Sequence, residues 1–176
     1  MPRFKRTAHR VSLTAMFASM SLLFLYLASV LPTMRITMYF LSSIFIMGLV
    51  LEEEIGLAFL MFVTVSLLSL LLMPDIIRVI PYVLFFGHYG IGKYFIQKRI
   101  KDKVVGYVLK LLYFNIALAL MYLLAKEVIT KDVLDSGITF WVLIILAEIA
   151  FVVYDFVFTK VTAYYFNNIR RLLMKD

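Results

Sequence analysis

Apolar residues in this chain gather into long runs, and short polar or charged segments break the runs. A helix needs about 20 apolar residues to cross the hydrocarbon core of a bilayer, within roughly 17–25. Six segments meet or approach that length: residues 11–31, 36–51, 55–73, 76–92, 104–125 and 138–159. Pro32 ends the first, Glu52-Glu53-Glu54 the second and Pro74-Asp75 the third. The fourth is the least apolar, since it carries Arg78, Pro81, His88 and three glycines, Gly87, Gly90 and Gly92. A basic, amphipathic tail, 160–176, follows the sixth. The pattern predicts an all-α, polytopic membrane protein: one transmembrane domain, 1–176, with six transmembrane helices.

Composition agrees with that pattern. Hydrophobic residues make up 64% of the chain and charged residues 16%, where a soluble domain carries roughly 45–50% and about 25%. A water-soluble fold of this length has too little interior to hide that much apolar surface. The basic segment 1–10 precedes an apolar run longer than a signal-peptide core, so the first run reads as a retained helix. No cysteine is present, which excludes disulfide and thiolate chemistry.

Charge then orients the helices. Lys and Arg concentrate in cytoplasmic loops. With the N-terminus inside, thirteen of the 18 basic residues fall on the cytoplasmic side, in three blocks: Arg3 to Arg10, Lys93 to Lys103, and Lys160 to Lys175. Four fall outside (Arg35, Arg78, Lys126 and Lys131), and Lys110 lies within the fifth run. Reading the fourth segment as a re-entrant loop would put the middle block outside. Six crossings keep all three blocks together, with both termini cytoplasmic in a cell (plasma) membrane. The net charge of +7 therefore reads as membrane orientation. It does not read as a nucleic-acid surface, which needs a basic stripe on one folded face.

Four features carry candidate function. On the first run, Ala8, Ser12, Ala15 and Ser19 share one helical face. Small residues let helix backbones approach closely in lipid, so this face either packs within the chain or docks a partner membrane protein. The second feature is an intramembrane polar cluster: His88, Lys110, Asn115, Glu148 and Asp155. Ionisable groups at that depth are expensive and mark function by default. Two readings stand. One is structural, with Lys110 paired to Asp155 and Asn115 hydrogen-bonded to Glu148. The other is a proton or cation path through His88, Asp155 and Glu148.

The third feature is the outer side. Arg35 and Arg78 can clamp an anionic group by forked bonds, and Tyr39, Tyr82 and Trp141 can stack on a planar ligand. Against that stand interfacial anchoring and a local Asp75–Arg78 pair. The fourth is Glu52-Glu53-Glu54, which reads as a solvated turn that also complements the dipole of the next helix. No metal site is expected, and no phosphate loop, zinc-protease motif or nucleophile elbow is present. The chain is accordingly expected not to be an enzyme and to need no cofactor.

The plan of the chain, with Lys5-Arg6-Thr7-Ala8 leading into Leu13-Thr14-Ala15 and then Ala15-Met16-Phe17-Ala18-Ser19, resembles the S components of energy-coupling factor transporters. In that family an alanine-x-x-x-alanine motif on helix one docks on a transmembrane coupling subunit; here Ser19 replaces the second alanine. The resemblance implies a substrate-capture subunit for a vitamin-like micronutrient, in membrane lipid, working with that coupling subunit and two cytoplasmic ATPases. It implies a small-molecule pocket on the outer side, for which Arg35, Arg78, Tyr82 and Trp141 are the candidates. It implies docking through Ser12, Ala15 and Ser19. The same small plan also resembles MreD-like scaffold proteins of the cell-wall elongation machinery, which transport nothing. A proton-coupled carrier is disfavoured by the missing inverted repeat.

Overall fold

The computed structural model describes residues 3–73, 75–125 and 137–164. Side chains are described for Ala8, for Arg10 to Leu124 apart from Pro74, and for Trp141 to Tyr164. The chain forms two compact units, Met1–Lys101 and Asp102–Asp176. Every regular element among the described residues is helical.

The first unit holds α1 (Arg3–Val30), α2 (Arg35–Leu51), α3 (Ile55–Leu72) and α4 (Gly87–Arg99). A short 3-10 turn, Pro32–Met34, joins α1 to α2, with Pro32 in its first turn, where a missing N–H costs nothing. The α2–α3 connection is the Glu52-Glu53-Glu54 turn, in which Glu53 adopts a left-handed φ of 62°. Arg10 of α1 pairs with Glu54 at 2.8 Å, so the start of α1 and this turn share one end of the unit. After α3, a second 3-10 turn, Ile76–Arg78, leads into a π-helical segment, Tyr82–Phe86, that continues into α4. The Gly87 N–H donates to the Tyr82 carbonyl five residues back, which is the wide ring of a π turn.

The surface is unlike that of a soluble protein, and polar groups join the apolar core. Large apolar side chains face outward: Leu71 is 80% exposed, Val104 71% and Ile36 68%. The buried set includes Ser21, Ser42, Ser69, Lys93, Lys110 and Asp155. Water would reject that surface, whereas hydrocarbon accepts it, provided that each backbone polar group is satisfied within a helix. Among the described residues, five helical stretches are long and apolar enough to cross a membrane: Arg10–Val30, Pro32–Leu51, Ile55–Leu72, Lys103–Leu124 and Trp141–Tyr164.

The fourth expected span is not among those five, and its packing explains why. Residues 80–99 form a continuous helical rod, and at about 1.5 Å per residue it is long enough to cross. One face of the rod, however, turns inward. Tyr82, Phe85, Gly87, Tyr89, Gly90 and Lys93 are all buried, against α2 and α3. A helix shielded by its neighbours does not need an apolar surface of its own. The same rod corrects two expectations. Residues 93–103 are not a loop, because α4 runs to Arg99 and the next helix starts at Lys103. Lys93, counted there as a loop charge, is 2% exposed.

The second unit is a helical hairpin of α5 (Lys103–Ala125) and α6 (Gly137–Tyr164). Lys110, Phe114 and Ala117 are buried on α5, and Phe151, Asp155 and Phe158 on α6. Both sets have the three-and-four spacing of a coiled-coil seam. Lys110 meets Asp155, Phe114 meets Phe151 and Asn115 meets Glu148. Each step along α5 matches a step back along α6, so the pair is antiparallel. Lys126, Glu127, Lys131, Asp132 and Asp135, expected in an outer loop, lie outside the described residues, as do Pro74 and the last twelve residues of the tail.

Candidate functional site

The expected outer pocket resolves into two different situations. Arg78 is committed to structure. Its Nε donates to Asp75 Oδ2 at 2.8 Å, and its Nη1 donates to the Ser29 carbonyl near the end of α1. The Arg78 carbonyl accepts the Tyr39 hydroxyl at 2.5 Å. Asp75 Oδ1 also accepts the Ile77 N–H at 3.0 Å. This knot ties α1, α2 and the 76–78 turn together, and it includes the local Asp75–Arg78 pair. The i, i+3 spacing of that pair was visible in the sequence; its bond to Ser29 was not.

Arg35 is in a different state. It sits one turn before Tyr39 on α2, on the same face. Its Nε is buried and has no hydrogen-bond partner. Tyr82, another of the expected pocket residues, is 0% exposed. Its hydroxyl lies 3.4 Å from Ser21 Oγ. Ser21 and Ser42 in turn face each other at 2.5 Å between hydroxyls, and each also reaches the other's carbonyl, at 3.2 and 3.1 Å. This serine–tyrosine knot joins α1, α2 and the π segment in the middle of the unit. In the sequence the knot leaves no mark beyond two serines in apolar runs. Trp141 belongs to the second unit and is 65% exposed, as an interfacial residue would be.

The small-residue stripe of α1 faces away from the unit's core. Ser12, Ala15 and Ser19 are exposed, whereas Ser21, Leu25 and Ala28 form the buried face. Ser19 Oγ donates to the Ala15 carbonyl at 2.9 Å, so the helix satisfies that hydroxyl by itself. The close approach of helices inside the unit occurs elsewhere, at Gly48 against Phe17 and at Gly87 against Phe62.

The polar residues of the second unit pair across the hairpin. Lys110 Nζ donates to Asp155 Oδ2, with both side chains about nine-tenths buried. Asn115 Nδ2 donates to Glu148 Oε1 at 2.7 Å and to the Leu111 carbonyl at 3.0 Å. Between the two pairs, Phe114 and Phe151 stack at 4.6 Å with their planes 9° apart. Opposite charges and amide–carboxyl bonds of this kind hold helices in lipid. Glu148 Oε2 is buried without a hydrogen-bond partner. His88 belongs to the first unit, where its ring meets Phe62 edge-on at 5.3 Å and bonds to the backbone at Val83 and Leu84. Among the described residues no group of three or more His, Cys, Asp or Glu side chains is placed to hold a metal ion.

No protein-family model, curated protein or solved structure matches the chain.

Proposed function

We propose that this protein is the membrane-embedded subunit of a larger assembly, joined to its partner through the exposed small-residue face of α1. The observation that carries this reading is the outward placement of Ser12, Ala15 and Ser19. Internal packing, the competing use for such a face, is met by the opposite side of α1 and by Gly48 and Gly87. A smooth strip of small residues facing lipid forgoes contacts there, and it regains them against another helix. In its specific form the subunit captures a small micronutrient on the outer side and hands it to a coupling subunit driven by cytoplasmic ATPases. It hydrolyses nothing itself. The chain crosses the plasma membrane six times with both termini in the cytoplasm. The basic blocks support that topology, as do the length of the 80–99 rod and the Arg10–Glu54 pair at the basic end of the first unit.

The second reading, a membrane scaffold of cell-wall synthesis, is favoured by the bonds that engage Arg78 and by the burial of Tyr82. A pull-down of the tagged full chain from native membranes separates the two. ATPases and a coupling subunit support transport; wall-synthesis enzymes without them support the scaffold. Ala15→Leu with Ser19→Leu should abolish recovery of either set. Undiminished recovery removes α1 as the docking face.

A further inference from the structure

We infer that Arg35 is the centre of a binding site for one small anionic group, a phosphate or a carboxylate. The inference rests on the ligand-capturing form of the function proposed above, and it supplies the class of ligand.

Four polar residues converge at the end of the first unit that lies opposite the Glu52-Glu53-Glu54 turn: Arg35 and Tyr39 on α2, and Asp75 and Arg78 beside the 76–78 turn. Both guanidinium groups lie close enough to the Tyr39 hydroxyl to act on it electrostatically. Three of the four are tied into hydrogen bonds with one another or with α1. Asp75 accepts from Arg78 Nε with one oxygen and from the Ile77 N–H with the other. Arg78 also donates to Ser29, and Tyr39 donates to the Arg78 carbonyl. Arg35 forms no ion pair among the described residues, and its buried Nε–H has no acceptor. The cluster therefore holds two guanidinium charges against one carboxylate, and the uncompensated charge sits on the residue with the open donor.

A buried donor without an acceptor is costly, and more so when it is charged. Water would satisfy the hydrogen bond but leave the charge. An anion with two oxygens satisfies both, because the planar guanidinium offers parallel N–H groups from Nε and Nη. A lipid headgroup phosphate and a soluble carboxylate or phosphate share this chemistry.

The test uses the full chain purified in detergent. Native mass spectrometry compares retention of dioleoyl-phosphatidylglycerol with retention of dioleoylglycerol, which lacks the phosphate. Calorimetry titrates inorganic phosphate and acetate. The expected result is one anionic group per chain, with Arg35→Gln weakening it roughly tenfold or more. Arg35→Lys, which keeps the charge and loses the fork, should weaken it by a smaller factor. Lys101→Gln, at the other end of the unit, should leave it unchanged. Retention of the phospholipid without calorimetric heat assigns the site to a headgroup; heat with phosphate or acetate assigns it to a solute. Equal retention of both lipids with no heat overturns the inference, as does binding that survives Arg35→Gln. Partner recovery measured on Arg35→Gln is a separate readout. Intact recovery with lost anion binding supports both the site and the assembly, whereas anion binding in a chain that recovers no partner sinks the assembly alone.

Discussion

Lys110 and Asp155 form a charge-assisted hydrogen bond across the α5–α6 seam, with both side chains withdrawn from the surface. A buried pair of this type is asymmetric in energy. Removing one partner strands the other charge at a cost of about 3–5 kcal/mol, whereas replacing both with apolar side chains of similar volume is near neutral. Lys110→Met and Asp155→Leu should each lower unfolding stability strongly, and the double variant should recover most of the loss. Thermal unfolding in nanodiscs measures the cycle. Additive losses in the double variant would show that the two groups are not coupled.

The Asn115–Glu148 bond should contribute less. Interhelical hydrogen bonds in membranes average about 0.6 kcal/mol and reach roughly 1.7. Glu148→Gln retains an acceptor for Asn115 and should change stability within that range. Asn115→Leu removes the side-chain donor to Glu148 and should cost more than Glu148→Gln. The opposite order would mean that Glu148 is held by something other than Asn115.

Gly87 packs tightly against Phe62 and Tyr82. A Cβ at this position would stand 2.7 Å from two ring atoms of Phe62 and 3.0 Å from Tyr82. Gly87→Ala should destabilise by about 1–3 kcal/mol through overpacking, and Phe62→Leu in the same chain should relieve part of the loss. Gly56 provides the contrast, since nothing lies within 4 Å of its added Cβ. Gly56→Ala lies inside α3 and should stabilise by roughly 0.5–1 kcal/mol. Melting temperatures of the two variants should move in opposite directions.

Glu53 occupies the left-handed region in the α2–α3 turn. That conformation costs a non-glycine residue roughly 1–2 kcal/mol, and glycine adopts it freely at some expense in chain entropy. Glu53→Gly should therefore leave the melting temperature unchanged or raise it, while Glu53→Val should lower it. A clear loss with glycine would indicate that the Glu53 side chain, and not the turn geometry, is what matters there.

The α1 stripe makes a further stability prediction. Because Ala15 and Ser19 face outward, Ala15→Leu and Ser19→Leu should each change the stability of the isolated chain by less than about 0.5 kcal/mol. A large loss in the purified protein would return the stripe to internal packing.

Much of the fold was readable from residue order, for a reason visible in particular elements. The run 104–125 and the helix Lys103–Ala125 agree within a residue at each end, because lipid demands an unbroken apolar stretch of set length. The same demand made 76–92 hard to read. In that segment Tyr82, Phe85, Gly87, Tyr89 and Gly90 are buried while Ile76 and Ile77 are exposed, so its hydropathy is a poor guide to how it packs. The Lys110–Asp155 pairing was accessible because depth can be counted from the helix ends. The Ser21–Ser42–Tyr82 knot was not, because nothing in the spacing indicates which faces of α1, α2 and the π segment meet.

Residue order alone thus determined the class of the protein and the solvent it is built for, since insertion in hydrocarbon is a one-dimensional requirement on each helix. The tertiary structure decided which polar groups are used up and which are left open. Arg35 and Arg78 look alike as residues flanking helices. The Asp75 carboxylate is a local partner of Arg78, but only the meeting of α1 with the 76–78 turn gives Arg78 its carbonyl, and only the fold leaves the Arg35 Nε without an acceptor, because hydrogen bonds depend on angles and distances between elements that sequence spacing does not contain.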